Sequence, residues 1–470
     1  MLQVFDSLTN KKQFLEKPKR GFLKLFVCGP TVYDYPHIGH ARTYIVFDAF
    51  VRFLRSRKIK VIYLQNITDI DDKIIKRAKE THKSPLELAR FFEVEYKKTM
   101  KKLNVNSVDI YARATEHIKE IQNQISILLK KGFAYQTNRG VYFEVKKFKP
   151  YGKLSRQNLD ELRPGWRIEP DPEKKDPLDF ALWKKSSFVK RSEKNEPSWL
   201  SPFGWGRPGW HIEDTAIAEK FFGPQYDIHG GGVDLKFPHH ESEIAQMEAI
   251  SGKKPFVKIW MHAGFLLVEN RKMSKSLKNF ITVSDFLKKY SPAILRMLIL
   301  SVHYRSPLNY TDELALQAKS SLQNIEEFLE KLRLVISSKN RKQKSSSFKI
   351  DQLIKVLDAN FTKALEDDFN TPKALSIIFN VISSWQNQVW QFNKEQAKEI
   401  IKLIKNKLNI LGIELPALKI SKKIKNLAKK RELLRKNKQF VQADLLRKKI
   451  ERLGYRVEDT PLGPLTLRNF

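Results

Sequence analysis

Residues 23–40 have the sequence LKLFVCGPTVYDYPHIGH, and this stretch decides the fold class. The mostly apolar residues 23–27 predict a strand that ends at Cys-Gly-Pro. Apolar residues at helical spacing continue from Ile38 to about Arg55, and a second strand is predicted over 60–65. Strand, turn, helix and strand in this order indicate a parallel β-α-β unit, in which ligands bind at the carboxyl ends of the strands.

The chain of 470 residues is too long for one compact core, so further domains are predicted beyond this unit. Regular α/β alternation is interrupted by a loosely patterned insertion, and after about residue 306 the pattern becomes helical before it ends in short, turn-rich strands. We therefore expect an α/β fold class. The predicted order is a Rossmann-like parallel-sheet catalytic domain (1–110 and 200–255) with a connective insertion (111–199), a linker domain (256–305), an α-helical bundle (306–415) and a small mixed α/β C-terminal domain (416–470).

Charge is the strongest feature of the composition. The chain carries 87 Lys and Arg residues against 52 Asp and Glu, a formal net charge of +35. A charge of this sign attracts the phosphate backbone of nucleic acids, although AT-rich codon usage would also enrich lysine. Residues 401–450 hold sixteen Lys or Arg against three acidic residues, interleaved with apolar positions, and predict a local nucleic-acid surface.

The sequence gives no sign of a membrane partner. No stretch approaches the roughly 20 uninterrupted apolar residues of a membrane span. The first residues, MLQVFDSLTNKKQF, lack the basic and apolar regions of a secretory signal. We therefore expect a soluble, cytoplasmic protein.

Residues 36–40, Pro-His-Ile-Gly-His, lie where the first strand turns into the first helix. The N–H groups and dipole of a helix start favour anions, imidazoles can donate hydrogen bonds to phosphate oxygens, and glycine allows close approach. A triphosphate site is one interpretation, and histidines that only cap the helix are the other.

A basic segment, Lys272-Met273-Ser274-Lys275-Ser276, follows an apolar strand-like segment far downstream. Two lysines can stabilise charge on a departing pyrophosphate, whereas an isolated basic pentapeptide is usually a solvated loop. Together the two segments resemble the HIGH and KMSKS signatures of class I aminoacyl-tRNA synthetases. The resemblance implies that His37, His40, Lys272 and Lys275 are catalytic, that Pro36, Gly39 and Lys275 bind ATP, and that Mg²⁺ accompanies the nucleotide.

Six further segments resemble cysteinyl-tRNA synthetases in order along the chain: residues 28–34, 66–73, 208–213, 227–232, 237–243 and 458–461. The resemblance implies that the protein activates L-cysteine with ATP and transfers it to the 3′ adenosine of tRNA(Cys). It also implies that His229 and Gly231 line the adenosine site and that Gly29, Thr68 and Trp210 line the amino-acid pocket.

In that family one zinc ion per chain binds the substrate thiolate, because zinc separates a thiol from a hydroxyl better than pocket shape does. Matched by position, its ligands here are Cys28, Asp214, His239 and Glu243, and Asp214 stands where the family has a second cysteine. Aspartate is a competent zinc ligand, so we expect zinc to be retained. The alternative is a pocket without metal, in which Asp214 hydrogen-bonds the substrate or the backbone.

Cys28 is the only cysteine, which excludes an internal disulfide and leaves packing, nucleophilic and metal-ligand roles. The resemblance favours the ligand role, since this class forms no covalent enzyme intermediate.

Two other functions are each compatible with part of the sequence. A relative that joins cysteine to an amino sugar lacks the anticodon-binding end, which this chain is long enough to include. A catalytically silent RNA-binding paralogue has only Asp214 in its favour.

The family commonly has a tryptophan near its C-terminus, where this chain has residues 464–468, PLTLR. We expect a monomer.

Overall fold

The structure is a computed structural model that describes residues 2–18, 20–157, 171–186, 196–273, 277, 279–338, 350–415 and 420–468. The chain forms two compact units. The first comprises Met1–Lys289 with Tyr304–Asn309, and the second comprises Tyr290–His303 with Tyr310–Phe470.

A five-stranded sheet is the centre of the first unit. All four neighbouring pairs are parallel, in the order Val257–Ala263, Tyr226–Gly232, Leu23–Val27, Val61–Ile67 and Ile110–Arg113. Its strands are mostly buried, as expected for a parallel sheet covered on both faces. The predicted α/β fold class with a parallel β-α-β unit is therefore confirmed.

The sheet extends beyond the predicted limits of the catalytic domain. Val257–Ala263 pairs with Tyr226–Gly232 and so belongs to the sheet, although the prediction ended that part at residue 255. Ile110–Arg113 likewise continues past residue 110. Pairing between strands, which local pattern does not report, decides both boundaries.

Helices flank this sheet, and the first of them, Ile38–Ser56, starts immediately after the signature residues. His37 is its N-cap and Ala41, Ile45, Phe47 and Leu54 are among its buried residues. The other helices of the unit are Asp72–Thr81, Pro85–Lys102, Ile118–Lys130, Trp210–Phe222, Glu241–Ser251 and Val283–Lys289, with short turns at Ala114–Glu116, Val145–Lys147, Val233–Leu235 and Lys236–His240.

Three smaller sheets complete the unit. They are Gln3–Asp6 with Lys11–Phe14; Ala134–Gln136, Gly140–Phe143, Phe180–Lys185 and Gly206–Pro208; and Arg271–Lys272, Leu266–Val268 and Leu308–Tyr310. Three strands of the four-stranded antiparallel sheet lie within the predicted insertion, and the last strand lies beyond residue 199.

The second unit is helical with a terminal hairpin, as predicted. Its helices are Pro292–Leu300, Asp312–Ser337, Ile350–Glu366, Thr371–Gln386, Lys394–Ile410, Lys422–Lys436 and Phe440–Arg452, with a short turn at Val389–Gln391. Tyr455–Thr460 and Gly463–Arg468 form the antiparallel hairpin. Ala428, Ile450 and Val457 make a small core there. Among the described residues no helix is both long and apolar enough to cross a bilayer.

Candidate active site

A cavity of about 580 Å³ opens in the first unit, lined in part by the residues that follow the strand Val61–Ile67. Its lining is mixed. Aromatic and charged side chains line it, including Asp71, Tyr151, Lys184, Phe237, Trp210, His211 and His239. A cavity at the carboxyl end of a parallel strand is where this architecture binds ligands.

The four predicted metal ligands meet in the interior beside this cavity. Cys28 directly follows the strand Leu23–Val27, and Asp214 lies on the helix Trp210–Phe222. His239 and Glu243 are four residues apart across the start of the helix Glu241–Ser251. One donor atom from each of the four lies within 4.8 Å of the others, and all four residues are buried.

The polar contacts inside the cluster are short. His239 Nε2 lies 3.1 Å from Asp214 Oδ2 and 3.2 Å from Glu243 Oε1. Cys28 Sγ lies 4.0 Å from the same Glu243 oxygen. Sulfur, imidazole nitrogen and carboxylate oxygen are the donor types that zinc takes in proteins.

Electrostatics favour a cation in this cluster. Burial, and then the Asp214 and Glu243 carboxylates, raise the pKa of the Cys28 thiol. Burial and Asp214 raise the pKa of Glu243. Glu243 Oε2 accepts no hydrogen bond from any described residue. A divalent cation would stabilise the charged forms of these donors, so the residues present fit a zinc ion.

A second group of donors shares two members with the first. Cys28 and Glu243 also meet His229 and His240, and all four are buried. His229 Nε2 lies 3.2 Å and His240 Nε2 lies 3.1 Å from Cys28 Sγ. His240 was not among the predicted ligands, although it directly follows the predicted ligand His239.

The structure places His229 and Gly231, the residues predicted to line the adenosine site, beside the metal cluster, and the adenosine role stays a prediction. His229 is fully buried against Cys28, because the strand that carries it is paired on both sides. A Cβ atom on Gly231 would lie 2.9 Å from His240 Cε1, so this glycine makes room for that imidazole. Both residues belong to the surroundings of the metal cluster.

Three residues predicted for the amino-acid pocket lie next to the cluster. The Trp210 ring is 37% exposed, lines the cavity and stacks on His239 with a centroid separation of 4.3 Å. Gly29 and Thr68 follow the ends of adjacent parallel strands. A Cβ atom on Gly29 would come within 1.7 Å of the Asn66 carbonyl oxygen, so only glycine fits there.

Asn66, for which no individual role was predicted, forms hydrogen bonds with three of these residues. Its Nδ2 donates to Asp214 Oδ1 at 2.6 Å and to Thr68 Oγ1 at 3.2 Å. Its Oδ1 accepts the Gly29 N–H at 2.5 Å. The signal in the sequence is a pair of polar residues, Gln65 and Asn66, inside an otherwise apolar strand.

The two signature histidines cap their helix and stack on each other. His37 Nδ1 accepts the His40 N–H at 3.2 Å, and the ring centroids are 3.6 Å apart. Burial lowers the pKa of His37 to about 4, and burial, His37 and Lys73 lower the pKa of His40. Both capping and a triphosphate site are therefore possible for the same pair, with the imidazoles neutral near pH 7.

The second signature begins next to the first. Lys272 ends the strand Arg271–Lys272 and is exposed. Met273 Cε is 3.3 Å from where a Gly39 Cβ would lie. The Ile38 N–H donates to Ile281 O, and the Val283 N–H donates to Pro36 O. Ser274, Lys275 and Ser276 lie outside the described residues.

Comparison with known families gives two matches along the chain. The family described as tRNA synthetases class I (C) catalytic domain matches residues 14–320, and the DALR domain matches residues 360–416.

Curated relatives match over nearly the full length. A Cysteine--tRNA ligase of Thermococcus onnurineus is 43% identical over 99% of both chains. One of Thermoplasma volcanium is 45% identical over 97% of both, and one of Methanococcus maripaludis is 44% identical over 98% of both.

Solved structures share the fold at low identity. An Agrobacterium radiobacter LeuRS in a ternary complex with tRNA has a TM-score of 0.63 at 11% identity, covering 84% of this chain and 85% of its own. A Mycobacterium tuberculosis methionyl-tRNA synthetase bound to methionyl-adenylate has a TM-score of 0.58 at 15% identity, covering 84% and 92%. The family match over residues 14–320 and the full-length identity together show that the chain belongs to the cysteine–tRNA ligase family of class I tRNA synthetases.

Proposed function

We propose that this protein is a cysteine–tRNA ligase, which activates L-cysteine with ATP and transfers it to the 3′ adenosine of tRNA(Cys). The observation that carries the proposal is the buried cluster of Cys28, Asp214, His239 and Glu243 beside a cavity lined by Trp210. A cluster of sulfur, nitrogen and oxygen donors beside a cavity large enough for a small molecule suits a substrate that carries a thiol.

Zinc is the proposed cofactor at this cluster, one ion per chain. When bound, it would supply a Lewis acid that prefers a thiolate to the hydroxyl of serine. The chain itself positions the substrate. Trp210, which stacks on His239, forms an aromatic wall for the cysteine side chain, while Gly29 and Thr68 stand at the adjacent strand ends.

The nucleotide is assigned to the helix start at His37 and to the lysine segment. Gly39 and Pro36 allow the phosphates to approach the helix N-terminus, and His37 and His40 orient the triphosphate. Lys272 and Lys275 stabilise the charge that develops on pyrophosphate, with Mg²⁺ on the phosphates. The contacts of Met273 beside Gly39 support a shared role for the two signatures.

The first reaction needs no general base. The cysteine carboxylate is already ionised and attacks the α-phosphorus of ATP, the bond to the β-phosphate oxygen breaks, and pyrophosphate leaves. A ribose hydroxyl of the terminal adenosine then attacks the carbonyl of the adenylate, and AMP leaves. Rate enhancement comes from positioning and electrostatics.

The tRNA is assigned to the second unit. The DALR match at 360–416 and the basic segment 401–450 support this assignment. We assign anticodon-stem binding to the helical region 306–415 and anticodon binding to 416–470. The catalytic domain would be 1–113 with 200–263, which includes all five strands of the parallel sheet, the connective insertion 114–199 and the linker domain 264–305. We further propose a monomer that acts in the cytoplasm.

Aminoacylation of a tRNA(Cys) transcript with radiolabelled cysteine tests the proposal. We expect charging that requires ATP, fails when the 3′ adenosine is removed, and is not matched by serine. Charging with serine at a comparable kcat/KM would contradict the assigned substrate. No charging and no cysteine-dependent ATP–pyrophosphate exchange would contradict the enzyme and favour a silent RNA-binding protein.

A further inference from the structure

Arg42 is a buried arginine on the helix that starts at the first signature. It lies two residues after His40 on the helix Ile38–Ser56, and it is 1% exposed. Burial lowers the pKa of Arg42 to about 10, so the guanidinium stays charged near pH 7. Among the described residues no carboxylate pairs with it. Burying a charge without an opposite charge is costly, so Arg42 is a candidate for a role beyond packing.

The Arg42 guanidinium binds three backbone carbonyls instead. Its Nη1 donates to Phe265 O, and its Nη2 donates to Ser306 O and, at 3.4 Å, to Tyr304 O. Phe265 directly precedes the strand Leu266–Val268, which leads toward the second signature. The planar fork of an arginine serves several acceptors at once, which the single ammonium group of a lysine cannot do with the same geometry.

Residues 266–280 contain the second signature, and this segment is attached to the helix of the first signature at both ends. At its downstream end, the Ile38 N–H donates to Ile281 O at 3.1 Å. The Val283 N–H there donates to Pro36 O at 2.9 Å. These downstream bonds join backbone groups, which almost any side chain would allow. The upstream bonds come from the side chain of Arg42, so this attachment depends on the residue type.

Phe265 connects Arg42 to Lys272. Its carbonyl oxygen accepts from the guanidinium, and Lys272 Nζ lies 5.7 Å from the centroid of its ring, which is a cation–π distance. Lys272 also pairs with Leu267 in the hairpin that follows Phe265. A displacement of Phe265 would therefore move Lys272, the lysine that we assign to the departing pyrophosphate.

The backbone around Phe265 pairs without help from Arg42. The Gly264 N–H donates to Tyr304 O at 2.7 Å, and the Leu308 N–H donates to Phe265 O at 2.8 Å. Two of the three carbonyls that Arg42 binds therefore keep a hydrogen bond if the guanidinium is lost. What Arg42 adds is the attachment of this backbone to the helix, so its substitution should change position more than folding.

We propose that Arg42 is a positioning residue, which holds Lys272 at a fixed distance from the histidines of the first signature. Because Arg42 is buried, it contacts no substrate and acts through Phe265. Groups that share one transition state must be placed to within about 1 Å, and this attachment provides that placement. The inference deepens the proposed function and rests on it for the role of Lys272 in stabilising charge.

Arg42→Lys tests the inference, because it keeps the charge and removes the planar fork. In cysteine-dependent ATP–pyrophosphate exchange we expect kcat to fall about 100-fold, with the KM for cysteine changed by less than about threefold. Arg55→Lys is the matched control, at an exposed arginine in the last turn of the same helix. It should stay within about twofold of the native kcat. A native kcat in Arg42→Lys would overturn the inference.

A double-mutant cycle separates positioning from a loss of folded enzyme. In the Lys272→Ala background, Arg42→Lys should lower kcat by less than about threefold, because the group that Arg42 positions is already gone. If the losses of the two single variants multiply in the double variant, Arg42 does not act through Lys272 and the inference is overturned.

Amide hydrogen exchange gives a readout that needs no activity. In Arg42→Lys, peptides covering residues 264–272 should exchange at least about tenfold faster, while peptides covering 281–289 keep their native rates. Unchanged rates in both regions, or equal acceleration of both, would overturn the inference. If hydrogen exchange responds as expected and the native chain catalyses no pyrophosphate exchange, the proposed function fails and the attachment through Arg42 stands.

Discussion

The two ends of the candidate site are built differently. At the amino-acid end, Cys28, Asp214, His239 and Glu243 are buried, and His239 contacts Asp214 at 3.1 Å and Glu243 at 3.2 Å. At the nucleotide end, His37 is only partly buried and Lys272 is exposed.

The difference teaches how the two substrates are handled. A small substrate that differs from a competitor by one atom needs fixed donors in a dry site, because only there does donor chemistry dominate. A triphosphate carries its own charge and needs N–H groups and cations within reach. We therefore expect substitutions at the amino-acid end to impair the selection of cysteine, and substitutions at the nucleotide end to lower the rate of the chemical step.

Cys28→Ser should give the largest effect, since Cys28 belongs to both donor groups. Substituting a residue that only supports the direct metal ligands already lowers metal affinity or activity by about 10- to 100-fold. Loss of the Cys28 thiolate, a direct ligand, should therefore lower kcat/KM for cysteine by more than about 1,000-fold. Pyrophosphate exchange and elemental analysis measure activity and zinc. ATP binding in a filter assay should persist. A Cys28→Ser variant whose kcat/KM for cysteine stays within tenfold of the native value would contradict the difference between the two ends.

His40→Asn should slow the chemical step without changing selection. Loss of one preorganised donor at developing charge costs about 100- to 1,000-fold in kcat. The KM for cysteine and the zinc content should stay unchanged. His82→Asn is the matched control, because His82 is exposed and ends a helix in a left-handed conformation that asparagine adopts readily. A raised cysteine KM in His40→Asn would mean that the ends are not separate.

Asn66→Ala should act at the amino-acid end alone. Without Asn66, Asp214 Oδ1 loses its 2.6 Å hydrogen bond and the Gly29 N–H loses its acceptor. We expect about a 10- to 100-fold rise in the KM for cysteine, with the KM for ATP unchanged. Asn106→Ala, at an exposed asparagine, is the control. Equal losses for both substrates would contradict a local role.

The smallest effect concerns pH. Because the folded chain holds the pKa of His37 near 4 against 6.5 unfolded, the unfolded chain binds the extra proton between these values. Stability should therefore fall as pH drops from about 6.5 to 4. Denaturant titrations should show His37→Asn reducing this slope by up to about 1.4 kcal/mol per pH unit. An unchanged slope would mean that His37 titrates normally.

Much of the fold was predictable because its pattern is local. The strand at 23–27 and the helix from Ile38 follow from apolar spacing within a few residues. The sheet strand Val257–Ala263 was placed outside the catalytic domain, because its partner lies about 30 residues earlier and pairing is not written in either segment.

Motifs predicted part of the candidate site, and the remaining residues are close to it in the structure but far from it in the sequence. The donor group of Cys28, Asp214, His239 and Glu243 came from matching positions to a family, and the structure brings the four side chains together. The second donor group, in which His229 and His240 join Cys28 and Glu243, was not predicted, because Cys28 and His240 are 212 residues apart and a buried imidazole has no local signal of its partner. The link from Asn66 to Asp214, across 148 residues, was missed for the same reason.

Pyrophosphate exchange by the zinc-stripped chain, before and after zinc is returned, tests the central claim most directly. We predict that cysteine-dependent exchange is lost on stripping and returns with one zinc per chain, while serine supports no exchange in any state. Cysteine-specific exchange that persists at full rate without metal would contradict the account, since Asp214 and its neighbours would then select the thiol unaided.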